Sequence, residues 1–62
     1  MDRKQIEREM EEVKYDYMNL QHDIEKLEVT GHAKQVEQSE ERLARMEERL
    51  RELRTMLANT PE

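Results

Sequence analysis

Two runs of apolar residues, each stepping alternately by three and four positions, confine this chain to a narrow set of folds. The first is Ile6, Met10, Val13, Tyr17, Leu20, Ile24 and Leu27. The second is Val36, Ser39, Leu43, Met46, Leu50, Leu53 and Leu57, with Ser39 its weakest member. Such spacing is the a/d repeat of a heptad, which lines one stripe of an α-helix and serves no strand. No position in either series is charged.

Between the runs stands Thr30-Gly31-His32, the only interior turn signal, and Gly31 is suited to the left-handed conformation that closes a helix. At the start, Asp2 with Gln5 three residues later reads as a capping box, and Met1 is placed to staple onto Ile6. Asn59-Thr60-Pro61 ends the second run. The expected organisation is a single all-α unit over residues 1–62: helix 2–29, turn 30–33, helix 34–58 and a short tail 59–62.

A short link favours antiparallel neighbours, so the chain is expected to fold back as a two-helix coiled-coil hairpin. Folding about the turn pairs Leu27 with Val36, Ile24 with Ser39, Leu20 with Leu43, Tyr17 with Met46, Val13 with Leu50, Met10 with Leu53 and Ile6 with Leu57. In an antiparallel pair, heptad position g faces g and e faces e. That register sets Asp23 toward Arg42, Asp16 toward Arg49, Glu7 toward Arg54 and Lys14 toward Glu47, with Gln21 beside Glu40 and no like charges opposed. Along the second helix, Glu41 with Arg45 and Glu47 with Arg51 have the favoured i,i+4 orientation.

At 62 residues, 44% of them charged and none cysteine, the chain has a narrow apolar stripe and no disulfide to reinforce it. A partner chain is the expected reinforcement. Two hairpins stacked face to face as a homodimer would complete a four-helix bundle. Outside the seam lie Tyr15, Met18, Ala44, Met56 and Ala58; of these, Tyr15, Met18 and Met56 are the candidate contacts for another protein.

Chemistry finds little purchase. No nucleophile stands beside a base, no phosphate loop is present, and the Glu pairs read as solvated helix face, so the expectation is a non-enzymatic chain with no cofactor and no metal. His22 with Glu25 and Asn19 shares a helix face that could ligate a metal, but an outward-facing solvated histidine is the preferred reading. His32 is read as a turn residue or helix cap rather than a pH switch.

The net charge of −5 weighs against nucleic acid as a partner. Arg42, Arg45 and Arg49 nevertheless form a basic line at helical spacing, although Glu41, Glu48 and Glu52 interleave with it. The line invites comparison with small RNA-binding hairpin dimers such as the plasmid regulator Rop. No run is apolar enough to span a membrane, the opening Met1-Asp2-Arg3-Lys4-Gln5-Ile6 lacks a signal-peptide core, and a cytoplasmic location is the expectation.

The stretch Tyr17-Met18-Asn19-Leu20-Gln21-His22-Asp23-Ile24-Glu25-Lys26-Leu27-Glu28-Val29-Thr30-Gly31-His32 resembles short uncharacterised two-helix coiled-coil proteins of Gram-positive bacteria. The resemblance implies a hairpin and no activity. The reading that follows is a structural or protein-interaction module, with a small regulatory nucleic-acid-binding hairpin of the Rop type as the alternative.

Overall fold

The computed structural model describes residues 2–61, and within them the chain is a helical hairpin: α1 (Arg3–Val29) and α2 (Ala33–Ala58), packed side by side. The Cα envelope measures 47 × 15 × 12 Å. That is about the length of one helix of this size, and no wider than two.

Each end of α1 is closed by the residues that local chemistry favours. Asp2 stands outside the helix as its cap, with extended backbone, and its carboxylate accepts the Gln5 amide N–H at 2.8 Å. The Gln5 side chain accepts the Asp2 N–H at 3.0 Å, so two donors at the helix start are satisfied reciprocally. The staple of Met1 onto Ile6 lies outside the described residues.

At the other end, the His32 N–H donates to the Leu27 carbonyl at 3.0 Å, and the Gly31 N–H to the Glu28 carbonyl at 3.3 Å. This is the Schellman pattern, which requires a left-handed residue just past the helix. Gly31 supplies it with φ +79°, the one positive φ among the described residues. Helix α2 then takes in Ala33 and starts without a side-chain cap, because His32 occupies that position and its ring makes no hydrogen bond there.

The seam forms along both heptad series. All fourteen of their side chains are buried or half-buried, and among the remaining described residues only Arg3, Glu9, Arg49, Met56 and Thr60 are sheltered to that degree. Burial is nevertheless shallow: Ile6 and Leu53 are fully enclosed, Leu20 and Ile24 nearly so, and the other ten stay half-open.

A contact absent from the sequence reading closes the end where the termini meet. The Arg3 guanidinium donates from Nη1 to the carbonyls of Leu57 and Thr60, both at 3.4 Å. A cation there adds a donor to the Leu57 carbonyl, which also accepts the Thr60 N–H at 3.2 Å, and opposes the negative pole of the α2 dipole. The Thr60 hydroxyl adds a 2.6 Å bond to the Met56 carbonyl.

Beyond its two chain neighbours, no heavy atom lies within 4 Å of where a Cβ on Gly31 would stand, so an alanine there would meet only backbone strain. Gly31→Ala is expected to destabilise the hairpin by about 1–2 kcal/mol in urea or thermal unfolding, and Gly31→Asn by less, since Asn tolerates the left-handed region.

Candidate interaction surfaces

The flanks of the seam carry the polar contacts between helices, and their partners differ from those the register alone suggests. Asp23–Arg42, Asp16–Arg49, Glu7–Arg54 and Lys14–Glu47 are all open among the described residues. Arg49 instead clasps Glu9 through Nη2 at 2.6 Å and Nε at 3.1 Å, while its Nη1 reaches Glu52 at 3.1 Å.

Glu9 and Asp16 both occupy g positions on α1, seven residues apart. Facing toward Glu9, the five-donor fork of a guanidinium finds two carboxylates at once, whereas Asp16 offers one on a shorter stem. The Arg49 guanidinium is accordingly held more firmly protonated than usual, by its hydrogen bond to Glu9 first and to Glu52 second. Glu9 and Arg49 are half-buried by this arrangement, and Asp16 is left exposed.

On the e flank, Glu7 turns back to Arg3 at 3.5 Å and Lys14 to Glu11 at 4.0 Å. Neither Glu41–Arg45 nor Glu47–Arg51 closes along α2 among the described residues. Charges on exposed stems gain at most about 1 kcal/mol from any one partner, so geometry and local competition decide who pairs.

Tyr17 lies in the seam with its ring half-buried, and its hydroxyl reaches the rim to donate to Glu47 Oε1 at 2.6 Å. This is the one side-chain bond across the e flank among the described residues. Donation to a carboxylate raises the phenol above its ordinary value, because removing the proton would set two negative charges side by side.

The candidate protein contacts do not converge. Tyr15 and Met18, 68% and 59% exposed, line one shallow depression on the back of α1 with Glu11, Glu12, Lys14 and Asp16. Met56 sits half-buried at a g position of α2, level with Glu9 rather than Tyr15. The basic line does converge: Arg42, Arg45 and Arg49 surround a shallow depression floored by Val13 and Met46. Within it Arg49 is committed to carboxylates, while Arg42 and Arg45 have no ion pair among the described residues.

His22 Nδ1 lies 4.0 Å from Glu25 Oε2 with both side chains about three-quarters exposed, a solvated pair. No three His, Cys, Asp or Glu residues are grouped to hold a metal among the described residues. No helix among the described residues is long and apolar enough to cross a membrane. Comparison with known protein families, curated proteins and solved structures finds no match.

The Tyr17–Glu47 bond gives the hairpin a pH signature. Its contribution stands below the ordinary phenol range and is lost as pH rises through the raised value, so stability should decline in alkali. In a Tyr15→Phe background, where Tyr17 is the sole phenol, ultraviolet titration should place its midpoint above that of free tyrosine. Adding Glu47→Gln should bring it down; an unchanged midpoint would contradict the contact.

Proposed function

We propose that this chain is a non-enzymatic structural or protein-interaction module: a helical hairpin that pairs with a second copy into a four-helix bundle and presents its outer surface to another protein. One observation carries the reading. The apolar series are intact, yet ten of their fourteen members remain half-exposed in the single chain.

Surface area supports the same conclusion. The hairpin exposes 5046 Å², against roughly 4,300 Å² for a compact protein of 7.6 kDa. The surplus is about the 800 Å² that each partner contributes to a standard interface. A second hairpin laid along the seam would cover an area of that order. The family resemblance of residues 17–32 is in keeping with a hairpin that has no chemistry of its own, and the cytoplasm is the location this reading assumes.

Two measurements test the module. Sedimentation equilibrium should give a homodimer at micromolar concentration, with a melting temperature that falls on dilution. A pull-down should recover a protein partner that is lost in Tyr15→Ala with Met18→Ala while helicity persists. A monomer at micromolar concentration refutes the pairing, and undiminished recovery refutes the Tyr15–Met18 contact.

The second reading is a small regulatory nucleic-acid-binding hairpin of the Rop type, favoured by one specific feature, the convergence of Arg42, Arg45 and Arg49, of which Arg42 and Arg45 have no carboxylate partner among the described residues. It predicts RNA or DNA retention at low salt, falling steeply as salt rises and abolished by Arg42→Glu with Arg45→Glu. Absence of retention at low salt ends it.

A further inference from the structure

The two sides of the seam are not equivalent. Heptad position d lies toward the g flank, and there Ile6, Leu20 and Leu53 are buried while Val13, Leu27, Ser39 and Met46 stay half-exposed. Position a lies toward the e flank, and six of its seven side chains stay half-exposed: Met10, Tyr17, Val36, Leu43, Leu50 and Leu57. The apolar residues Met18, Ala44 and Ala58 occupy b, next to this open side, while every c position, next to the closed one, is polar.

Ionic pairing divides the same way. The g flank carries the one ion pair between helices among the described residues, Glu9 with Arg49. The e flank has no ion pair between helices, and Arg54 has none at all among the described residues. We infer that the second copy docks on this a/e side, with the two turns at the same end of the bundle. The inference rests on the pairing proposed above and specifies its face and its symmetry.

Charge selects the symmetry. A two-fold axis parallel to the helices lays α1 of one protomer antiparallel along α2 of its partner, at the same level, so the hairpin's own register is reused between chains. Glu7 then meets Arg54, Lys14 meets Glu47 and Gln21 meets Glu40, each twice and with no like charges opposed. The e-flank partners that stay apart within one chain are thereby satisfied across two. Tyr17 takes only Oε1 of Glu47, which leaves Oε2 for an incoming ammonium.

A two-fold axis across the helices would place the turns at opposite ends and lay each helix along its own copy. Matching a with d over the full length then allows two registers. One opposes Glu7 to Glu28 and Glu40 to Glu47; the other opposes Lys14 to Lys14 and Glu47 to Glu47. Both set like charges together on the flank, which works against that arrangement.

Spin labels distinguish the two. His32 is exposed, makes no side-chain cap bond, and the chain has no cysteine, so His32→Cys gives one label at the turn of the full-length protein. With helices about 8–10 Å apart, turns at the same end should give a label separation under about 25 Å. Turns at opposite ends of a 47 Å rod would give more than about 40 Å, allowing for label reach. The short distance in a dimer is the expected result, and the long distance overturns this inference while leaving the pairing intact.

A monomer overturns both. As an independent check, Lys14→Glu should raise the dimer dissociation constant roughly ten-fold, and Glu47→Lys added to it should restore much of the affinity. A dissociation constant unmoved by Lys14→Glu would remove the e-flank contact.

Discussion

A helix packed against only one other helix can cover an apolar stripe from one direction, and this limit governs the rest of the structure. Fourteen heptad side chains meet along the seam, but only Ile6, Leu20, Ile24 and Leu53 are taken out of solvent. Burying a side chain such as leucine fully is worth about 1.5–3 kcal/mol, so a seam left half-open withholds much of what its sequence could contribute. Ordering the chain opposes folding with an entropic cost that grows with each residue fixed. The hairpin therefore depends on its ends and its turn.

The ends are where this chain concentrates its directional bonds. Asp2 and Gln5 satisfy the start of α1, and the Schellman bonds around Gly31 close its far end and aim the chain back. Arg3 reaches from the first turn of α1 to the Leu57 carbonyl in the last turn of α2 and the Thr60 carbonyl just beyond it. Ile6 and Leu53, the two fully enclosed side chains, occupy neighbouring layers at that same end. The half-buried Arg3 brings its cation to carbonyls at that end.

Charge adds direction rather than strength. The clasp of Arg49 on Glu9 and Glu52 ties one flank of the seam, and the single Tyr17–Glu47 bond spans the other. Burial leans the same way, with three d side chains enclosed toward the g flank against one a side chain toward the e flank, which leaves the e side the more open. In the proposed dimer the open side is where the second copy adds its own seam. The free arginines Arg42 and Arg45 lie on the opposite flank with Arg49, so a basic surface would stay accessible in either assembly state.

The sequence by itself determined the two helices, the turn at Gly31, the cap at Asp2 and the membership of the seam. Each follows from local backbone chemistry or from a period of three and four that only one helical stripe satisfies. Tyr17 was legible as well, since a ring at an a position must bury its body and send its hydroxyl outward. The cross-helix ion pairs were not, because a long flexible cation chooses among several carboxylates within reach, and Arg49 prefers two to one. Arg3 gave no signal either: its role depends on carbonyls that come within range only after α2 has folded back. Only the tertiary structure decided which seam side chains are enclosed and which stay half-open, because that depends on how far the two helices rotate about their own axes, and the heptad pattern is silent on that angle.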